Sequence, residues 1–182
     1  MKLKTFVILS LLITSFGLRA QVQDSISGMP MDEQSGLITY QNVVEEEGSK
    51  KELFYRAINW VNNYYANPVA VTKIRDIETG RVECRHQFRI TYKKEGVDLP
   101  AGLILYTCIL ELKDGRYRYT INDFVLKQAS RFPVENWLDK TDPAYNEQWD
   151  EYLRQVDEFA KGLIANLKDK MHPAPEVVED EW

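Results

Sequence analysis

The chain holds few of the residues that build metal centres or disulfide frameworks. Its 182 residues include two cysteines and two histidines, whereas a structural zinc site takes four ligands and disulfide-stapled domains are rich in cysteine. Basic residues are also in the minority, with 23 Lys and Arg against 28 Asp and Glu and a net charge of −5. Because nucleic-acid binding depends on neutralising phosphates with Lys and Arg, this balance argues against a nucleic-acid partner.

The familiar catalytic motifs are missing as well. The sequence has no glycine-rich phosphate loop, no G-x-S-x-G elbow, no H-E-x-x-H pair and no internal repeat. Hydrophobic residues make up 44% of the chain and charged residues 28%, which is typical of one ordinary globular domain. The sequence therefore predicts no catalytic residue, no metal and no cofactor.

The one long apolar run lies near the N-terminus. It extends from Phe6 to Leu18 after a basic start and is followed by Ala20, the small residue that signal peptidase requires. We expect residues 1–20 to be a cleaved signal peptide, which leaves 20 basic and 28 acidic residues in the exported chain. The run is shorter than the roughly 20 residues of a membrane-spanning helix, and the first cysteine is Cys84. These features predict a periplasmic or extracellular protein without a lipid anchor or a transmembrane segment.

The exported chain divides into a linker, one domain and a tail. Residues 21–36 are rich in Ser, Gly, Gln and Asp and show no sustained periodicity, which predicts a linker. Residues 171–182 contain two prolines and several acidic residues, which predicts an acidic, disordered tail. Residues 37–170 are left as the single folded domain.

Hydrophobic periodicity predicts the order strand, helix, four strands, helix within that domain. A β-branched strand covers residues 37–44 and is followed by Ser49 and Glu52, which have the spacing of a helix capping box. Pro68 ends this first helix, and Asp142 is predicted to cap the last one. The pattern predicts an α+β domain in which a five-stranded antiparallel sheet carries both helices on one face.

The dipeptide Asp114-Gly115 predicts a tight hairpin between the last two strands. Counting outward from a two-residue turn places apolar pairs on one face and a charge pair on the other, and a shift by one residue would disrupt both rows. The predicted pairs are Lys113 with Arg116, Leu112 with Tyr117, Glu111 with Arg118, Leu110 with Tyr119, Cys108 with Ile121 and Leu105 with Phe124.

Five segments within residues 29–119 form a distinctive set: Met29-Pro30-Met31-Asp32-Glu33, Gly36-Leu37-Ile38-Thr39-Tyr40, Glu52-Leu53-Phe54-Tyr55-Arg56-Ala57, Trp60-Val61 and Ile74-Arg75-Asp76. Through these segments the chain resembles a secreted bacterial family of unknown function with a TATA-box-binding-protein-like (TBP-like) fold. The resemblance implies the TBP-like fold and export. The family has no established activity, so the resemblance implies no catalytic residues. DNA binding by the protein that gives the fold its name would be an analogy of fold alone.

One strand has apolar residues on both faces, which is the strongest functional signal in the sequence. Its outward-facing residues and the arginines of the neighbouring strand form an apolar patch with a basic rim, as partner sites often do. We predict a binding surface for a protein or a small apolar ligand of the cell envelope, or for self-association. The alternative is that residues 132–138 or the tail cover this surface. Its residues are Leu103, Leu105, Ile109, Phe124, Arg85 and Arg89.

The cysteines allow two further hypotheses. A disulfide between Cys84 and Cys108 depends on strand register: pairing Tyr92 with Ile104 would keep the thiols apart, whereas a shift of four residues would bring them opposite. Cys84 and His86 could also act as a thiol and its base, although both fall on the apolar row, which favours core packing.

Two other functional classes stay open from the sequence. One is a small enzyme or apolar-ligand carrier with a cleft between the helices and the sheet, where Tyr64, Tyr65, Tyr117 and Tyr119 would orient the substrate. The other is a subunit of a cell-envelope assembly. His172 has no Cys or His partner nearby in the sequence, so a metal role for it is not predicted.

Overall fold

The computed structural model describes residues 28–173. The predicted signal peptide lies outside these residues, as do residues 21–27 of the expected linker and residues 174–182 of the expected tail. Within the described range, no helix is both long and apolar enough to cross a membrane. The strands are β1 (Tyr40–Glu45), β2 (Thr72–Asp76), β3 (Arg81–Lys94), β4 (Val97–Lys113), β5 (Arg116–Leu126) and β6 (Phe132–Pro133), and the helices are α1 (Lys50–Tyr64), α2 (Pro68–Val71), the 3₁₀ helix Val134–Leu138 and α3 (Gln148–Met171).

The strands form one antiparallel sheet in the order β1-β5-β4-β3-β2. Helices α1 and α3 pack against each other and against the central strands, and the apolar side chains between them form one continuous core. The predicted α+β architecture is confirmed. The sheet has six strands rather than five, because β6 pairs with the last residues of β5.

Local signals fix the ends of α1. The side chain of Ser49 accepts a hydrogen bond from the Glu52 backbone N–H (3.3 Å), and the Glu52 carboxylate accepts one from the Ser49 N–H (2.7 Å). The predicted capping box is therefore present. The helix ends before Pro68, which begins the short helix α2.

The β4–β5 hairpin has the predicted register from Lys113–Arg116 to Cys108–Ile121. A second tight turn was not predicted. It joins β3 to β4 at Glu95 and Gly96, whose φ angles are +52° and +81°, as a two-residue hairpin of the primed type requires. This turn sets the register of the two longest strands as far as Thr91 and Pro100, where a β-bulge shifts the pairing by one residue, so that Ile90 pairs with Gly102.

The N-terminal end of α3 differs from the prediction. The helix begins at Gln148 rather than after Asp142. The Asp142 carboxylate instead accepts a hydrogen bond from the Ala144 N–H (2.8 Å), which closes a turn two residues later. Asn146 takes the capping role, since its side-chain oxygen accepts a hydrogen bond from the Gln148 N–H (3.1 Å). The sequence offers several polar caps in this segment, and periodicity alone does not choose between them.

Both expected boundaries of the domain shift outward. Residues 28–36 are part of the fold rather than a linker, because Met29 is buried and Met31 forms a β-bridge with Ile38. At the other end, α3 continues to Met171, whose side chain is fully buried. The helix therefore extends one residue beyond the expected end of the domain, and residues 174–182 of the expected tail lie outside the described residues. The turn within residues 28–36 and the last residue of α3 have no repeating hydrophobic pattern, so hydrophobic periodicity predicted neither of them.

Candidate functional site

The sheet face opposite α1 and α3, here called the open face, carries five of the six residues predicted for the binding surface. Leu105, in the central strand β4, is 38% exposed there. Leu103 and Ile109 are half-buried, while Arg85 and Arg89 are exposed. The register on this face pairs Arg89 with Leu103, Gln87 with Leu105, Arg85 with Thr107 and Glu83 with Ile109.

Phe124 is the exception, and its predicted place on the open face is wrong. Leu105 pairs with Val125 instead of Phe124, because β5 contains one extra residue at a β-bulge. Asp123 has a positive φ of +56° at this bulge. Side chains alternate along a strand, so the extra residue turns Phe124 into the core, where it is 0% exposed, and places Val125, which is 7% exposed, on the side of the open face beside Leu105.

A cleft of about 520 Å³ lies on the open face beside this bulge. Leu105 and Val125 supply apolar surface, and three cationic side chains line the same space. These are Arg85, Lys127 and Arg131. Sequence reasoning included Arg85 and Leu105 in the predicted surface but missed Val125, Lys127 and Arg131, because their positions depend on the bulge and on the segment after β5.

Hydrogen bonds hold the cationic side chains of the cleft in place. The Lys127 ammonium donates to the Gln87 side-chain oxygen (3.2 Å), and Arg131 forms an ion pair with Asp123 at the bulge. Arg85 Nη2 lies 2.9 Å from a carboxylate oxygen of Glu83. The charges of the cleft are therefore anchored to strands β3 and β5 rather than to loops alone.

Glu83 organises the basic side of the open face. Burial raises the pKa of its carboxyl group, but hydrogen bonds from Arg81 and Arg85 outweigh this effect and hold the pKa below its ordinary value. Its side chain is only 7% exposed, whereas that of Arg85 remains 63% exposed. Glu83 therefore stays ionised near neutral pH and orients Arg85 without removing it from solvent.

Residues 132–138, one of the two expected covers, do not lie over the open face. Phe132 packs edge-on against Trp149 of α3 (ring centroids 6.3 Å apart), and Trp137 packs against Tyr152 of α3 (5.3 Å). This segment closes the edge of the helix layer, and Leu105 remains exposed. The other expected cover, residues 174–182, lies outside the described residues.

The space between the helices and the sheet is filled by side chains. Phe88 and Phe159 stack with ring centroids 3.8 Å apart, and Phe159 also contacts Tyr106 (4.9 Å). Leu163 is 1% exposed in the same layer. Within residues 28–173, the chain itself therefore occupies the space in which an inner substrate cleft was considered.

Cys84 and His86 lie on the inner row of β3, as their alternation predicts. Burial raises the pKa of the Cys84 thiol to about 11 and lowers the pKa of His86. Both groups are therefore neutral near pH 7, whereas a catalytic pair needs a thiolate beside a basic partner. Cys84 is a core residue at 1% exposure, whereas His86 is exposed, so the predicted core packing of His86 is wrong. Cys108 lies directly opposite Cys84, and both are free thiols.

His172 contacts a carboxylate rather than a metal-ligand cluster. Its Nδ1 lies 2.9 Å from Oε2 of Glu46, whose side chain is 5% exposed. The part of the chain that the structure describes contains no group of three or more His, Cys, Asp or Glu side chains close enough to hold a metal ion.

The strand order, the two helices on one face and the open opposite face define an α+β domain with a TBP-like fold. Residues 40–127 match the model of a family described as a domain of unknown function (DUF4468) with TBP-like fold. The TBP-like fold expected from the sequence is therefore confirmed.

Solved structures with the same fold are similar over most of the chain. A TBP-like protein from Parabacteroides distasonis ATCC 8503 has a TM-score of 0.64 and 19% identity, over 79% of this chain and 96% of that one. A DUF4468 family protein from Bacteroides ovatus ATCC 8483 has a TM-score of 0.65 and 12% identity, over 84% of this chain and 95% of that one. At these identities the likeness shows the fold alone. No curated protein matches the chain.

Proposed function

We propose that this protein is an exported, noncatalytic binding module whose open face takes a small anionic amphiphile. The apolar part of the ligand lies on Leu105 and Val125, and its acidic group lies among Arg85, Lys127 and Arg131. The single observation that carries the proposal is the exposure of Leu105 in a central strand beside a cleft lined by cations.

The apolar part of the proposal rests on the two side chains at the bulge. Leu105 is 38% exposed, and Val125, its partner on β5, lies beside it. A large apolar side chain exposed in the middle of a sheet loses the stabilisation that burial would give, about 25 cal/mol per Å². Binding of an apolar chain would recover part of that free energy. The volume of about 520 Å³ lies within the usual range of about 300–1,000 Å³ for ligand pockets.

The charge of the proposed ligand follows from the cleft. Arg85, Lys127 and Arg131 outnumber the single lining carboxylate, Asp123, although the whole chain carries a net charge of −5. A local excess of cations on an acidic protein is complementary to an anion. The guanidinium of Arg85 has donors suited to a carboxylate, and its ion pair with Glu83 leaves it 63% exposed.

Titration calorimetry with dodecanoate, below its micelle-forming concentration, tests the proposal. We expect saturable binding of dodecanoate. Dodecyltrimethylammonium has the same chain with a positive head, which the cations of the cleft would repel, so we expect it to bind at least about tenfold more weakly, a difference of about 1.4 kcal/mol. Leu105→Glu is expected to weaken dodecanoate binding by a similar factor, because it places a carboxylate in the apolar part of the cleft.

Val97→Glu is the matched control, since Val97 is an exposed apolar residue (59%) at the tip of the β3–β4 hairpin, away from the cleft. It should bind dodecanoate as the unsubstituted protein does. Equal binding by Leu105→Glu, or a preference for the cationic detergent, would overturn the proposal.

A chain that ends at Pro173 shows whether the acidic residues 174–182 compete for the cleft. A mass that rises with concentration in light scattering would point instead to a second copy as the occupant.

A further inference from the structure

Cys84 and Cys108 face each other across the two central strands of the sheet. They are direct partners in the β3–β4 register, and both side chains are on the inner face and 1% exposed. Opposite residues of an antiparallel pair have Cα atoms about 4.5–5.5 Å apart, and a disulfide needs about 4.4–6.8 Å. The backbone therefore holds the two free thiols at a separation that allows a bond.

We propose that Cys84 and Cys108 form a cross-strand disulfide by exchange with a disulfide donor of the oxidised-glutathione type. The Cys84 thiolate attacks one sulfur of the donor, which forms a mixed disulfide and releases one donor thiol. The Cys108 thiolate then attacks the Cys84 sulfur and releases the second donor thiol. The two cysteines lose two electrons and two protons in total, and the donor gains them as two thiols.

The order of folding steps follows from the burial of the pair. Exchange requires a thiolate, and burial raises the pKa values of both thiols in the folded protein. The tight turn at Glu95 and Gly96 joins the two strands locally, so β3 and β4 can pair before α1 covers their inner face. The exchange therefore takes place on the paired strands during folding, and the folded dithiol is protected from the same donor.

Refolding in the presence of oxidised glutathione tests the inference directly. The refolded protein is denatured in urea at about pH 7 in the presence of excess N-ethylmaleimide, and its mass is measured with and without prior reduction. We expect no labelled thiol before reduction and two after it. The bridged form is expected to melt about 5–10 °C above the reduced form, because the disulfide restricts the unfolded chain. Two labelled thiols after oxidative refolding would overturn the proposal.

A matched variant tests whether the register brings about the bond. The double substitution Cys84→Ala with Val82→Cys keeps two cysteines on the inner face, but Val82 pairs with Leu110 rather than with Cys108. Under the same conditions this variant should keep both thiols reactive within the monomer. Equal closure of the variant would show that the register is not responsible and would contradict the inference. If the variant does not fold, the thiol count of the unsubstituted protein still decides the outcome.

Discussion

Phe124→Ala is expected to lower the free energy of unfolding by about 3–5 kcal/mol, the usual cost of removing a buried aromatic ring. Phe124 is 0% exposed, and its ring packs edge-on against Tyr40 (centroids 6.1 Å apart) and beside Tyr106 (6.4 Å). Phe124 belongs to the continuous core, so the substitution leaves a cavity that the surrounding side chains fill only in part. Urea unfolding followed by tryptophan fluorescence measures the change.

Leu105→Ala is the matched control on the neighbouring strand. Because Leu105 is 38% exposed on the open face, we expect its loss to cost about 1 kcal/mol or less. The two substitutions thus distinguish the observed pairing of Leu105 with Val125 from the pairing of Leu105 with Phe124 that counting from the hairpin turn predicts. A large cost at Leu105 together with a small cost at Phe124 would mean that β5 has no bulge at Asp123 and that the open face is covered.

Gly80→Ala should also destabilise the protein strongly, by about 3 kcal/mol or more. Gly80 has a φ of +67°, and a Cβ atom placed on it would lie 2.4 Å from the carbonyl oxygen of Leu112. The left-handed conformation alone costs an L-residue about 1–2 kcal/mol. The clash adds to this cost, because the Leu112 N–H is hydrogen-bonded to the Gly80 carbonyl (2.8 Å), which fixes the two backbones together.

Gly115→Ala isolates the conformational part of that effect. Gly115 has a similar φ of +71°, but a Cβ atom there would meet nothing within 4 Å. Its substitution should cost only the left-handed strain of about 1–2 kcal/mol. Equal losses of unfolding free energy for the two variants would show that the β2–β3 turn does not approach β4 as closely as the structure indicates.

The parts of the fold with local causes were predictable from the sequence. The Asp114-Gly115 turn determines the β4–β5 register near the hairpin, and Ser49 with Glu52 determines the start of α1. The bulge at Asp123 has no hydrophobic signature, so counting outward from the turn placed Phe124 on the wrong face. The signal that could have revealed it is an aspartate inside a strand, since Asp is rare in strands and tolerates positive φ.

The candidate site could be predicted only in part for the same reason. Arg85, Arg89, Leu103, Leu105 and Ile109 lie where strand alternation places them. The rest of the cleft depends on tertiary structure, since it forms where the bulge and the segment after β5 come together. A single extra residue in β5 thus decides which side chains reach the open face.

Methyl NMR with dodecanoate tests the central claim, that the open face is the binding surface, most directly. We predict that the methyl signals of Leu105 and Val125 move on titration, while those of Ile104 and Leu110, which are 0% and 1% exposed on the inner face, stay in place. Unchanged signals at Leu105 and Val125 would contradict the account, as would larger shifts on the inner face.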